Sequence, residues 1–352
     1  MQFAQVEDTG RIVDPQVSAA AVGLHYVSAD GAGIRRKRVG KGFTYVDAQG
    51  ARITDKATLD RIHKLVLPPA WEDVWICPDP NGHLQATGID ARGRKQYRYN
   101  DEFRRHRETA KFEHILVFAQ ALPAIRERVA ADMARKGLPR EKVLATIVHL
   151  LETTLVRVGN ADYAKANGSY GLTTLRNPHV DVAGSALRFH FKGKSGKEWN
   201  LQVQDRRVAK VVRACQELPG QQLFEYRDDD GQVRRVDSTD VNAYLKEITG
   251  RDITAKDFRT WFGTVAAAIA LHERGVGESA TASKRTTREV IAQVSARLGN
   301  TPTICRKCYV HPEVLACYAG GELVLRVRQG TKKHALSPEE SAVYRFLVGR
   351  LG

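Results

Sequence analysis

The stretch VLATIVHLLETTLVRVGN, residues 143–160, decides the fold class. Its apolar residues keep helical spacing, and they are Val143, Leu144, Ile147, Val148, Leu151 and Leu155. This period predicts a buried helix that ends at Arg157. A helix of this length must pack against further helices to bury its apolar side chains, so we expect a mainly helical domain around it.

Upstream of this stretch the first hundred residues favour strands and turns. Residues 43–46 and 74–77 are short apolar runs, and Asn81-Gly82 is a hairpin signal after the second run. Helical spacing starts only at about Thr109. We therefore predict a β-rich N-terminal domain over residues 1–107 and a mainly helical domain over residues 108–352.

Downstream, hairpins interrupt the helices. Apolar residues alternate with polar ones on both sides of the turn at residues 193–196, and a second turn lies at residues 228–231. Helices are predicted from Thr254, from about Arg288 to Leu298, and from Ser337, with a flexible link at residues 275–284. The predicted class is α+β: a small β-rich domain, then a larger mainly α-helical catalytic domain with β-hairpins.

Charge and composition narrow the function. The chain has 352 residues with 55 Lys and Arg against 40 Asp and Glu, a net charge of +15 that predicts a polyanionic partner. No apolar run reaches the length that crosses a bilayer, so no membrane contact is expected. Residues 1–10 carry Glu7 and Asp8 without an apolar segment, and the five cysteines are sparse, so we predict a cytoplasmic protein.

The cysteines first suggest a metal site. Cys305-x-x-Cys308 lies near His311 and Cys317, but a zinc site of this type needs a second ligand pair, which the sequence lacks. We therefore predict buried structural cysteines, with no metal and no cofactor.

Four residues spread over the second domain form the strongest pattern: Arg157, Lys194, Arg259 and Tyr309. Each alone would suggest only a solvated cation or a packed ring. In this order and spacing they resemble the active site of the type IB DNA topoisomerases, in particular the short poxvirus and bacterial enzymes. The resemblance covers roughly residues 35 to 320 and implies the catalytic fold that these enzymes share with tyrosine recombinases.

The resemblance implies a role for each residue. Tyr309 matches the nucleophile, which in the family becomes linked to a 3′ phosphate, and Lys194 matches the general acid. Arg157 and Arg259 match two arginines that hold the non-bridging oxygens of the phosphodiester. Asn300 stands where the family often has a histidine, and its amide can still donate a hydrogen bond.

The resemblance also implies DNA contacts in both domains. Gln96, Tyr97 and Tyr99 match family residues at the DNA surface, although a strand with its alternate tyrosines packed inward would have the same pattern. Three further residues of the catalytic domain are candidate DNA contacts, and they are Tyr163, Lys165 and Lys256.

The expected activity is that of a monomeric two-domain clamp on duplex DNA that nicks one strand, relaxes supercoils by strand rotation and religates without ATP or metal. A tyrosine recombinase uses a similar residue set, but it usually carries a histidine just before the second arginine, where this chain has Lys256-Asp257-Phe258. A non-catalytic DNA-binding protein is the third reading. The segment after residue 330 lies outside the resemblance.

Overall fold

The computed structural model describes residues 15–91, 93–330 and 332–351. Residues 1–10, whose lack of an apolar segment supports the cytoplasmic prediction, lie outside the described part. The chain divides into two compact units, Met1–Glu113 and His114–Gly352. Among the described residues, no helix combines the length and apolar character that a membrane crossing requires.

The first unit is a small sheet with helices. Helix α1 covers Pro15–Ala20, followed by strands β1 (Ile34–Val39) and β2 (Gly42–Val46), helix α2 (Lys56–Lys64) and strands β3 (Glu72–Ile76), β4 (Leu84–Ile89) and β5 (Lys95–Tyr99). The five strands are antiparallel in the order β2-β1-β3-β4-β5. Ile34, Ile62 and Ile76 lie in the core that α2 and the sheet share.

Helix α3 (Asp101–Met133) begins earlier than the apolar period indicated. Its first turn carries Asp101 and Glu102, and the side chain of Asn100 accepts a hydrogen bond from the Glu102 amide at 2.9 Å. Polar residues at a helix start leave no apolar period, which is why the sequence indicated a start near Thr109. The division between the two units falls within this helix, and so does residue 107.

The second unit is mainly helical. Its further helices are α4 (Arg140–Thr154), α5 (Ala161–Asn167), α6 (Arg206–Gln216), α7 (Ser238–Thr249), α8 (Ala255–Glu273), α9 (Ala280–Leu298), α10 (Pro302–Cys308), α11 (Pro312–Ala319) and α12 (Pro338–Leu351). The expected α+β class with a larger helical domain is confirmed. Helix α4 is buried along most of its circumference, as its near-continuous apolar sequence requires.

Two sheets interrupt these helices. Strands β6 (Val180–Ala183), β7 (Ala186–Lys192) and β8 (Glu198–Gln204) form a three-stranded antiparallel sheet, and β9 (Glu225–Arg227) pairs with β10 (Val233–Arg235). Phe189 and Phe191 of β7 point into the core of the unit. Both predicted hairpins are confirmed.

Two further predicted helix boundaries change. Helix α4 ends at Thr154, so Arg157 lies beyond it, because Leu155 takes a left-handed conformation (φ 60°) and ends the helix. Helix α9 starts at Ala280, where the Ser279 hydroxyl accepts a hydrogen bond from the Ala282 amide at 3.1 Å. The predicted flexible link is therefore wrong for residues 280–284, whose small polar side chains the helix accommodates.

Candidate active site

Four of the predicted catalytic residues come together in the second unit, where the ends of α4 and α9 meet the start of α8. Arg157 follows α4, Arg259 lies in the second turn of α8, Asn300 follows α9, and Tyr309 follows α10 directly. A capping box fixes the start of α8, because the Asp257 carboxylate accepts hydrogen bonds from the Thr254 amide at 2.8 Å and from its hydroxyl at 2.9 Å.

Arg259 is buried, with 3% of its surface exposed. Its guanidinium donates hydrogen bonds to the carbonyl oxygens of Leu155 and Leu298, which end α4 and α9. Helix C-terminal carbonyls lack intrahelical donors and carry partial negative charge, so they stabilise a buried cation without neutralising it. The Nε of Arg259 is buried without a hydrogen-bond partner among the described residues.

Arg157 and Asn300 lie against each other. The Arg157 guanidinium donates to the side-chain oxygen of Asn300, and its Nη2 lies 3.4 Å from the carbonyl oxygen of Gly299. Since the amide oxygen of Asn300 accepts from Arg157, its Nδ2 is the donor side, and this atom is buried without an acceptor in the described part of the chain. The pair thus presents one buried donor, Nδ2 of Asn300, that no described residue satisfies.

The two arginines make this region strongly cationic. Burial lowers the pKa of Arg157. Burial and the nearby charge of Arg157 lower the pKa of Arg259. Tyr309 offsets part of the lowering at both arginines. No carboxylate forms an ion pair with either guanidinium among the described residues. Two unneutralised cations side by side form a site for an anion.

Tyr309 lies beside this pair. The Cζ atom of Arg259 lies 5.1 Å from the centroid of the Tyr309 ring, and the Tyr309 amide donates to the carbonyl of Cys305 at 2.9 Å. A Cβ on Gly263 of α8 would overlap the Tyr309 carbonyl oxygen, so the close approach of the two segments requires glycine. Gly263 among the apolar residues of α8 is the sequence signal for its contact with Tyr309, although the spacing pattern alone does not reveal the partner.

Lys194 occupies the tip of the β7–β8 hairpin and is exposed. The hairpin is fixed by Trp199, whose ring packs where Cβ atoms on Gly193 and Gly299 would lie, and by Lys197, whose Nζ donates to the Ala296 carbonyl at 3.1 Å. The sheet therefore holds the Lys194 turn against the same chain segment that carries Asn300.

The remaining candidates of this unit are on its surface. The Nζ of Lys194 lies 5.7 Å from the centroid of the half-buried Tyr163 ring. Tyr163 also offsets part of the lowering of the Arg157 pKa by burial. Lys165 of α5 and Lys256 in the first turn of α8 are exposed.

In the first unit, Tyr97 and Tyr99 lie on the exposed face of β5. They are 49% and 40% exposed, and their rings stack with centroids 6.1 Å apart. This excludes the alternative that both rings pack inward. Gln96 is half-buried on the other face, and its amide donates to the Asp90 carboxylate at 2.9 Å.

The five cysteines form no disulfide, and Cys305 is buried in α10. Burial raises the pKa of the Cys305 thiol to about 11, so the thiol is neutral at physiological pH. His311 accepts from the Glu313 amide through Nδ1 at 3.1 Å and thereby caps α11. Among the residues that the structure describes, no group of three or more His, Cys, Asp or Glu side chains could hold a metal.

Comparison with known proteins gives two family matches. Residues 100–321 match the family model described as eukaryotic DNA topoisomerase I, catalytic core, and residues 42–90 match that of the bacterial DNA topoisomerase IB N-terminal domain. The first match includes Arg157, Lys194, Arg259, Asn300 and Tyr309.

Individual relatives agree. The DNA topoisomerase 1B of Acanthamoeba polyphaga mimivirus is 31% identical over 294 residues, which cover 81% of this chain and 87% of the viral protein. The DNA topoisomerase 1B of Vaccinia virus (strain Copenhagen) and the DNA topoisomerase I of Monkeypox virus are each 21% identical over 255 residues, covering 71% of this chain and 76% of the relative.

Proposed function

The chain belongs to the type IB DNA topoisomerases, and from this premise we propose that it relaxes duplex DNA through a phosphotyrosine at Tyr309. The phenol oxygen attacks a backbone phosphorus, releases its proton to solvent and forms the new P–O bond to a 3′ phosphate. The bond from phosphorus to the 5′ oxygen breaks, and that oxygen leaves with a proton. The strand can then rotate, and the 5′ hydroxyl attacks the phosphotyrosine to restore the DNA.

The observation that carries this proposal is the unneutralised pair of arginines beside the tyrosine ring. A phosphodiester is an anion, and charge accumulates on its non-bridging oxygens as the tyrosine attacks. Arg157 and Arg259 supply fixed positive charge in a largely buried setting, where an electrostatic interaction is stronger than in water. Because helix-end carbonyls hold Arg259, its charge needs no rearrangement before the reaction.

Asn300 supports the same phosphate. Its Nδ2 has no acceptor among the described residues, and a non-bridging oxygen bound beside Arg157 would provide one. The amide is neutral at every accessible pH, so this donor keeps its proton where a histidine would lose one.

Lys194 is the proposed proton donor. Its exposed position on a turn fixed by Trp199 lets the ammonium reach the leaving 5′ oxygen while Tyr309 attacks from the opposite side. Each cleavage exchanges one phosphodiester for another, so neither ATP nor a metal ion is needed to store energy or to supply charge.

Contacts to DNA extend beyond these residues. Tyr97 and Tyr99 present stacked, exposed rings, and the half-buried Tyr163 and the exposed Lys165 and Lys256 are further candidate contacts in the helical unit. The net charge of +15 provides sequence-independent attraction to phosphates. We propose that the N-terminal residues up to about 107 form the DNA-binding domain and that the protein acts as a monomer associated with DNA.

Relaxation of a supercoiled plasmid in EDTA and without ATP tests this function. The native protein should produce relaxed topoisomers, while Tyr309→Phe, which lacks only the attacking oxygen, should bind the plasmid and leave it supercoiled. Complete loss of relaxation in EDTA would contradict the proposed chemistry. Products that form only between two copies of a defined site would instead indicate a recombinase.

A further inference from the structure

A second site lies in the helical unit, in a cleft of about 500 Å³. Helices α3 and α4 provide its apolar wall and the start of α6 its side, and the segment before α12 closes it. Its lining includes Val129, Met133, His149, Arg207, Lys332 and Lys333. None of the five proposed catalytic residues lines it.

Arg126 of α3 fixes the segment that closes the cleft. Its Nη1 donates to the Ala335 carbonyl at 2.7 Å, its Nε to the Glu152 carboxylate at 2.7 Å, and its Nη2 to the Glu340 carboxylate at 2.9 Å. His334, also in the lining, has a left-handed backbone (φ 65°), which is uncommon for a residue other than glycine. Arg126 thus fixes the backbone of this segment at Ala335 and the start of α12 at Glu340 through part-buried hydrogen bonds.

The cleft carries an excess of positive charge. Arg207 and His149 share the Asp205 carboxylate, whose Oδ2 lies 3.4 Å from Nη2 of Arg207 and 3.2 Å from Nε2 of His149. Lys332 and Lys333 are exposed and form no ion pair among the described residues. Arg126 faces two carboxylates, Glu152 and Glu340, so with the histidines neutral the four cations Arg126, Arg207, Lys332 and Lys333 outnumber the three carboxylates by one. The two exposed lysines are the cations left to attract an anion into the cleft.

We propose that this cleft binds a phosphate-bearing small molecule of nucleotide size. Phosphate oxygens would accept from Arg207, Lys332 and Lys333, and the apolar part of the ligand would contact Val129 and Met133. The volume lies in the range of small-molecule sites. The cleft is separate from the catalytic residues, so its ligand is not consumed in DNA relaxation.

Calorimetric titration of the full-length protein without DNA tests this proposal. The probes are AMP, inorganic tripolyphosphate and adenosine, at physiological ionic strength so that the general attraction of the net charge is screened. We expect saturable binding of AMP and of tripolyphosphate that Arg157→Gln retains, and no binding of adenosine, because the phosphate provides the charge-assisted hydrogen bonds.

Variants locate the site. Arg207→Gln alone and combined with Lys332→Ala and Lys333→Ala should weaken AMP binding by about tenfold or more, the usual effect of losing hydrogen bonds to a charged group. Arg206→Gln, an exposed neighbour outside the lining, is the matched control and should bind as the native protein does. Equal affinity of Arg207→Gln and Arg206→Gln, loss of binding in Arg157→Gln, or no saturable binding of either phosphate probe would overturn the proposal.

Discussion

The helical unit contains two arginine sites that differ in their partners. Arg126 is bound by the carboxylates of Glu152 and Glu340, and although burial lowers its pKa, these two carboxylates raise it above the ordinary value. Arg157 and Arg259 have carbonyl and amide partners instead, and burial lowers the pKa of both. The comparison separates an arginine that carboxylates of the protein neutralise from two arginines that lack such a partner and that we propose bind the substrate phosphate.

The largest effect on the rate of strand cleavage is expected at the exposed Lys194. Lys194→Ala should slow strand cleavage by roughly 10²–10⁴-fold, the usual contribution of a positioned general acid. A substrate with sulfur at the 5′ bridging position should largely restore the rate, because a thiolate leaves without a proton. Rapid-quench measurement of single-turnover cleavage on both substrates checks this. A Lys194→Ala variant that stays slow on the sulfur substrate would contradict the proton-donor role.

The arginines of that site should behave differently. Arg157→Gln and Arg259→Gln should each slow cleavage by about 10²–10³-fold, because each removes a charge that stabilises the transition state. The sulfur substrate should not restore their rates, since the leaving group is not their target. Restoration by sulfur would mean that these arginines act on the leaving oxygen.

The matched substitution at the carboxylate-paired arginine, Arg126→Gln, should lower stability and leave cleavage activity nearly unchanged. Arg126→Gln leaves two carboxylates without a cation and should lower the free energy of unfolding by ~3–5 kcal/mol. Arg157→Gln strands no carboxylate and should cost less. Chemical denaturation measures both, and cleavage by Arg126→Gln should stay within a few-fold of the native rate below its melting temperature. Equal destabilisation by the two variants would remove the distinction between the sites.

A smaller effect is expected at Asn300. Asn300→Ala should slow cleavage by about tenfold, the value of one hydrogen bond to a charged group. Asn300→His should restore much of the rate below pH ~6.5, where the imidazole is charged, and lose part of this gain at higher pH. The pH profile of single-turnover cleavage checks the sign. A flat profile for Asn300→His would indicate that this side chain does not face the phosphate.

The smallest effect is expected in the first unit. Tyr97→Ala should change the preference among cleavage sequences more than the overall rate, because its ring is exposed and we propose that it contacts DNA without taking part in the chemistry. Sequencing of cleavage sites on a long duplex measures this. An unchanged site distribution with reduced affinity would assign Tyr97 to backbone contact alone.

Much of this fold could be predicted because local patterns determined it. The apolar period of α4, the alternation in β7 and β8, and the Ser337 and Glu340 capping box of α12 each lie within a few residues. The catalytic set was identified by order and spacing. Neither approach needs contacts between distant parts of the chain.

What the sequence could not predict depends on such distant contacts. Arg259 binds the Leu155 carbonyl, 104 residues away, and Arg126 binds Glu340, 214 residues away. Backbone carbonyls carry no sequence signal, and the left-handed Leu155 that exposes one of them is not a glycine. The difference between a neutralised and an unneutralised arginine therefore becomes visible only when the helices are packed.

The central claim is that the unneutralised arginines hold a phosphate for attack by Tyr309. The most direct measurement maps the covalent adduct on a 5′-labelled DNA strand in EDTA and without ATP. The strand is cut near its 3′ end, so the short downstream piece diffuses away and the adduct cannot religate. Proteolysis and mass spectrometry should place the label on Tyr309 through a 3′ phosphate. An adduct on another residue, attachment through a 5′ phosphate, or no adduct until a divalent metal is added would contradict the account.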